Sequence, residues 1–219
     1  MKVIFDIITV GLFASTISLC APLAISSLGG LISDKSGVPN IALEGIISAG
    51  AFCAVVFCIP FGPWLATLIA AIVGGLVALL IGLICVKGRG DIVIGGFAVN
   101  FICWGLFPVL SMRLYNAKGM TPRVNGFSPL SIPFVRDIPY LGSILERSTV
   151  LTYFGLIILP IIVFVLMYKT RFGKHIKATG LDPFSADTKG INVFRVRYEA
   201  IVLSGILAGV AGAELSQYC

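Results

Sequence analysis

Between Asp6 and Asp34 the chain carries no formal charge at all, from Ile7 to Ser33. The pattern then repeats: Gly45–Val86, Ile92–Met112 and Ser148–Tyr168 are likewise uncharged. About 20 mostly apolar residues wound as an α-helix cross the hydrocarbon core of a bilayer. In water there is no way to cover such segments in a chain this short. Of its 219 residues 58% are apolar and 12% charged, with a mean hydropathy of +1.03, whereas soluble domains carry roughly 25% charged residues. A cytosolic enzyme, a disordered chain and a disulfide-stapled secreted domain are excluded. The expected class is all-α: a polytopic transmembrane bundle forming one domain over residues 1–219.

The uncharged runs set the number of crossings. Gly45–Val86 is too long for one helix, and Pro60-Phe61-Gly62-Pro63 divides it, because proline removes a donor and stops the helix. One span therefore ends near Ile59 and the next runs from about Trp64 to Val86. The uncharged stretch between Glu199 and Glu214 is too short to cross alone, but Tyr198–Tyr218 would cross if both carboxylates sit near its ends. Six spans result. The first is not a cleaved signal peptide, because Asp6 spoils a basic leader and the run is too long. No alternation recurs in segments of about 10 residues, as a β-barrel would require.

Sixteen Lys and Arg against ten Asp and Glu give a charge of +6. In a soluble protein that excess would suggest nucleic acid. Here the cations lie in the loops, where membrane orientation accounts for them, since Lys and Arg stay cytoplasmic during insertion. Residues 169–198 hold seven basic side chains against only Asp182 and Asp187, and are placed in the cytoplasm. Counting back, 115–147 is an extracytoplasmic loop, 87–91 is inside, 60–63 outside and 34–40 inside. If 33–48 is a broken or re-entrant element, the count changes. The outer loop is long and holds Pro122, Pro129, Pro133 and Pro139, which predicts a packed, functional surface rather than a linker.

Catalytic and metal chemistry find little support. Five of the six cysteines lie in apolar runs, no CxxC occurs, and His175 is the only histidine. There is no HExxH, Ser–His pair or Walker A motif. Small residues recur at spacing four, as Gly74, Ala78 and Gly82 and as Gly205, Gly209 and Ala213, and such faces let helices approach closely in lipid. Polar residues within spans are costly and therefore informative. Glu44, just past Asn40, is either a carboxylate placed favourably at a helix N-terminus or part of a transport path. Asn100 is either an interhelical hydrogen-bonding group or a substrate contact. Gly37 and Pro39 interrupt the chain before Asn40, so Asn40, Glu44 and Asn100 are the candidate path residues.

The basic loop carries its own signal. Asp182 is a good N-cap, Pro183 a good first helical residue and Gly190 a good terminator. A short helix, Pro183–Lys189, is expected, with Phe184, Thr188 and Ile191 projecting as a docking surface for a cytoplasmic partner.

Several segments, in order, resemble one family. Asp182-Pro183, Ala186-Asp187-Thr188 and Gly190-Ile191-Asn192-Val193 fit an N/D-P-x-x-A-D-T-x-G-I-N-V run. Gly29–Gly45 is similar to a G-G-x-x-S-E-x-S-G-V-x-N-I-x-L-E-G signature, and Gly95–Asn100 to a G-x-x-x-N segment. Leu203-Ser204-Gly205 and Ala208–Ala213 resemble an L-S-G-x-x-A-G-x-A-G-A helix. These are features of permease subunits of bacterial ABC importers, in the branched-chain amino acid, ribose and nucleoside group, closest to the simple-sugar/nucleoside branch.

The resemblance implies a multi-pass protein of the bacterial inner membrane. Two permease chains form the pore, two cytoplasmic ATPase subunits dock on coupling helices, and a solute-binding lipoprotein docks outside. ATP and Mg²⁺ then belong to the ATPase, with no cofactor on this chain. The coupling residues it implies are Asp182, Pro183, Phe184, Ala186, Asp187, Thr188 and Gly190. Family members run on past the Ala211-Gly212-Ala213 helix, so a truncated or split permease is expected. A secondary transporter or channel without an ATPase, and a non-transporting fragment, stay open at this level.

Overall fold

A computed structural model describes residues 2–88, 90–116, 124, 126–127 and 149–218, with side chains near the start of the first helix and that of Tyr218 left aside. The described residues form eight helices: α1 (Lys2–Lys35), α2 (Leu43–Phe61), α3 (Pro63–Lys87), α4 (Ile92–Tyr115), α5 (Val150–Lys169), α6 (Arg171–Leu181), α7 (Pro183–Thr188) and α8 (Val193–Tyr218). Six of them, α1–α5 and α8, are long and apolar enough to cross a membrane. The chain is a polytopic helical bundle, as expected.

Prolines mark the start of α3 and of the second segment of α5. Gly62, at φ 80°, separates α2 from α3, and Pro63 opens α3, where the absent N–H costs nothing. In α5 the turn widens to a π-helix over Phe154–Ile158, so Pro160 starts a new helical segment instead of breaking one. Pro108 lies inside α4.

The long α8 is the central post and packs on α3, α2 and α1. The contact is backbone against backbone. A Cβ placed on Gly74 would lie 2.9 Å from the Cα of Gly209, and one on Gly50 would meet the same atom at 2.9 Å. One on Gly209 would lie 3.0 Å from the Ala70 carbonyl carbon and 3.2 Å from Ala71 Cα. The two small-residue faces read from spacing thus meet each other. Around this seam, Ile25, Ile32, Val163 and Ile176 fill the gap between α1, α5, α6 and α8, while Ile46, Ala78, Ile81 and Ile201 fill that between α2, α3 and α8. Phe101, Ile102, Trp104 and Val109 leave the outer face of α4 exposed and apolar.

The ends pair up. Gly37 lies against Gly180, and Tyr198 packs on Gly82, so the turn after α1, the end of α3 and the α6–α7 region share one end of the bundle. At the other end Trp64 packs edge-on against Phe127 at 4.8 Å. The expected outer platform, 115–147, falls almost entirely outside the described residues.

Two boundaries differ from the sequence reading. Residues 169–198 are not a loop with one short helix: α6 precedes α7, capped by Thr170, whose hydroxyl accepts from Gly173 N–H at 3.2 Å. It buries Gly173, Ile176 and Thr179 on one face, an i, i+3, i+6 pattern. The last span starts at Val193 rather than Tyr198.

The seam should not accept branched side chains. Gly209→Val is expected to lower stability by about 3 kcal/mol or more, through overpacking against a neighbouring backbone that cannot yield. A Cβ on Gly105 would meet nothing within 4 Å, so Gly105→Ala should be neutral or gain up to about 1 kcal/mol from helix propensity. Thermal unfolding in one detergent would check both, and equal effects would refute the backbone-contact account.

Candidate functional site

Two regions concentrate polar groups: the turn joining α1 to α2, and the α6–α7 end of the bundle. The first is built around Asn40. Its backbone N–H donates to Ser33 Oγ at 2.9 Å, its Nδ2 donates to Ser204 Oγ of α8 at 3.1 Å, and its Oδ1 accepts from Ala42 N–H at 3.2 Å. Gly37, at φ 81°, supplies the left-handed residue that reverses the chain.

Asn100 of α4 completes the turn. Its Oδ1 accepts from Gly45 N–H at 2.8 Å, and its Nδ2 donates to the Ile41 carbonyl at 3.1 Å. The first turn of α2 has no side-chain cap of its own, so a neighbouring helix supplies it. Gly45 is required there: a Cβ would lie 2.8 Å from Asn100 Oδ1.

This placement alters what the three candidate path residues can do. Asn40 and Asn100 are buried, and each amide is spent on protein partners. Glu44 lies in the first turn of α2 and is exposed on the surface of the single chain. The helix phase explains this, because Gly45, Ile46, Ala49 and Gly50 are buried positions of α2. Helix α2 begins at Leu43, and Asn100 takes the Gly45 N–H.

The short helix expected in the basic segment is present, as α7. Asp182 Oδ1 accepts from Phe184 N–H at 3.0 Å and Ser185 N–H at 3.1 Å, while Ser185 Oγ donates to Asp182 Oδ2. These bonds, the Ser185 hydroxyl foremost, hold the Asp182 carboxyl below the ordinary aspartate value. Pro183 is the first helical residue. Gly190, at φ 80°, ends the helix, and Ile191 N–H closes back on the Ala186 carbonyl at 3.1 Å.

The candidate coupling residues divide into two faces. Phe184 is 78% exposed and Leu181, just before the helix, 88%, with Asp187 and Thr188 also outward. Ala186 is 3% exposed and seats α7 on the bundle. Ile191 does not project: it packs against the core.

Sequence reasoning missed two features. One is a cavity of about 440 Å³ between α2, α4 and the end of α8, lined by Ser48, Phe52, Trp104, Phe107, Ser111 and Ser216 among others. Phe52 and Phe107 hold their rings 5.2 Å apart there. Its signal was the run of aromatic and hydroxyl residues around Pro108. The other is Glu214. Read as an end-of-span carboxylate, it is 2% exposed, and neither of its oxygens has a hydrogen-bond partner among the described residues. Gly155 of α5 makes room beside it, where an added Cβ would lie 3.8 Å from Glu214 Oε2.

A family model described as the branched-chain amino acid transport system permease component matches residues 12–219. The chain belongs to that permease family. It is 35% identical over 206 residues to the guanosine ABC transporter permease NupQ of Bacillus subtilis, covering 90% of this chain and 64% of that protein. It is 34% identical over 211 residues to the nucleoside ABC transporter permease NupC of Lactococcus lactis, covering 93% of this chain and 66% of the relative. The galactose/methyl galactoside import permease MglC of Escherichia coli is 30% identical over 148 residues, covering 68% of this chain and 42% of its own length. The chain thus spans just under two thirds of the length of the two nucleoside relatives. No solved structure matches it. The nucleoside and sugar branch of the permease family is the one read from the motifs, and the chain is a multi-pass membrane protein.

The two polar regions can be tested separately. Asn100→Leu leaves the Gly45 N–H and the Ile41 carbonyl buried without partners, at about 1–3 kcal/mol each. It should therefore lower the unfolding temperature of the purified chain. Unchanged stability would mean that the α4–α2 bonds do not form. Asp182→Ala should reduce amide protection at Phe184 and Ser185 while that of α8 stays constant. Because the folded pKa is depressed, the Asp182 cap contributes at neutral and mildly acidic pH. It is lost only as pH falls through its folded value, below the usual aspartate range. Protection factors that drop already in mild acid would contradict this assignment.

Proposed function

We propose that the chain is the membrane-spanning permease subunit of an ATP-driven importer in the bacterial inner membrane. The cargo is a small, neutral, hydroxyl-rich solute, of which a nucleoside or simple sugar is the type. The observation that carries the reading is α7: a six-residue helix capped at both ends, seated by Ala186, with Phe184 and Leu181 held out at the basic end of the bundle. Exposed apolar side chains on a rigid, well-capped turn suit a protein partner, and membership of a transport-permease family supports reading that partner as a cytoplasmic ATPase. The ATP and Mg²⁺ chemistry belongs to that partner. A second permease chain, identical or homologous, and an extracytoplasmic solute-binding lipoprotein complete the assembly.

In this reading α7 is the lever. Its seat on α6 and on the start of α8 passes a push at Phe184 to the Asn40–Ser204 bond and the small-residue seam. The cargo's route is the α2–α4 side. Ser48 lines the cavity there together with Phe52, Trp104, Phe107 and Ser111, and Glu44 lies one helical turn before it. Aromatic faces accept a planar base or the apolar face of a sugar, and serine hydroxyls exchange hydrogen bonds with ribose or pyranose. Asn40 and Asn100 serve that route by fixing the α2 N-terminus beside it.

One observation favours a second reading. Glu214 is a carboxyl buried within a span, the kind of group that proton-coupled carriers use. A secondary transporter would need it to load and unload protons during each cycle.

The docking claim has its own test. Phe184→Ala should cut co-purification of the ATPase and solute-stimulated ATP hydrolysis several-fold, with the unfolding temperature of the permease unchanged. Full retention of both activities would refute the assignment of α7 as the docking site.

A further inference from the structure

A cleft of about 420 Å³ lies outside the proposed path, where the last turns of α1, α5 and α6 converge. Its walls are Asp34, Lys35, Tyr168, Lys177, Gly180 and Leu181. Asp34 and Lys35 are the first charges after the first uncharged span, and Tyr168 closes the fifth just before Lys169. The cleft therefore sits at the level where hydrocarbon gives way to headgroups on the basic, cytoplasmic side.

Of its two lysines, Lys177 is held in place by an aromatic ring. Lys177 Nζ lies 3.3 Å from the centroid of the Tyr168 ring, a cation–π contact that fixes the ammonium at the mouth. Neither Lys35 nor Lys177 has a carboxylate within ion-pair distance among the described residues, where the only pair is Arg195–Glu199. Behind the cleft, Gly37 lies between Gly180 and the Arg197 guanidinium, and Arg197 Nε is buried without an acceptor among the described residues. Leu181, 88% exposed, provides an apolar edge. Asp34 is the carboxylate on the wall.

We infer that this cleft is a binding site for an anionic glycerophospholipid of the surrounding bilayer. The phosphate sits between the ammonium groups of Lys35 and Lys177, headgroup hydroxyls donate to the Asp34 carboxylate, and the acyl chains run along the α1–α5 groove. Lipid is favoured over a soluble anion because cations, an aromatic ring and an apolar edge meet at headgroup depth. The occupant would tie the ends of α1 and α5 to α6, the helix that carries α7.

The test is native mass spectrometry of the full chain in detergent, titrated with phosphatidylglycerol, phosphatidylcholine or inorganic phosphate. Phosphatidylglycerol should be retained preferentially. Each lysine removed should weaken retention about five-fold, from roughly 1 kcal/mol per cation near a lipid headgroup. Lys35→Ala with Lys177→Ala should therefore lose most of the preference, Lys35→Arg with Lys177→Arg should keep it, and Lys87→Ala, the same charge loss at that end as either lysine alone, should leave it intact. Equal retention of phosphatidylcholine by the native chain, or equal loss in Lys87→Ala, would overturn the site. Inorganic phosphate binding as tightly as phosphatidylglycerol would overturn the lipid assignment.

Discussion

Close approach of the α8 backbone to α2 and α3 is the constraint on which the bundle depends. In lipid, apolar side chains gain little by leaving one hydrocarbon environment for another, so helices associate through dispersion contact and hydrogen bonding. Gly50, Gly74, Gly205 and Gly209 remove the side chains that would hold the axes apart. The contact makes α8 a rigid post, and the rest of the chain is arranged around it.

Buried polar bonds fix that arrangement. Asn40 ties the α1–α2 turn to Ser204 on the post, and Asn100 ties α4 to the first turn of α2. Each amide pairs a backbone group that would otherwise be unsatisfied away from water. The same bonds join the basic end of the bundle to the side on which the cavity opens. A displacement of α7, which is seated on α6 and on the start of α8, is thereby connected to the α2–α4 face through packed elements.

Much of this was legible in the sequence, because the bilayer imposes simple rules. Charge-free runs located six spans within a few residues, Pro60-Phe61-Gly62-Pro63 located the α2–α3 break, and Asp182-Pro183 with Gly190 located α7. What was not legible depends on contacts between distant residues. Nothing local to Asn100 reveals that its partner is a backbone N–H 55 positions earlier. The direction of Glu44 follows from which α2 positions pack on α8. Glu214 resembles an end-of-span carboxylate until α5 is seen to pack beside it. Helix α6 was overlooked because its buried face is narrow, confined to Gly173, Ile176 and Thr179, and the surrounding charges make it read as loop.

The central claim is that this chain moves its solute with energy from ATP on a partner. Uptake of labelled guanosine, galactose and ribose should be measured in cells carrying the chain with its ATPase. One set should have the ATPase nucleotide site inactivated, and another should be treated with a protonophore. The account predicts uptake of at least one of these solutes that disappears with the inactive ATPase and survives brief collapse of the proton gradient while cellular ATP is maintained. Uptake that persists without ATP hydrolysis and disappears with the proton gradient would contradict it, and would move the function to Glu214.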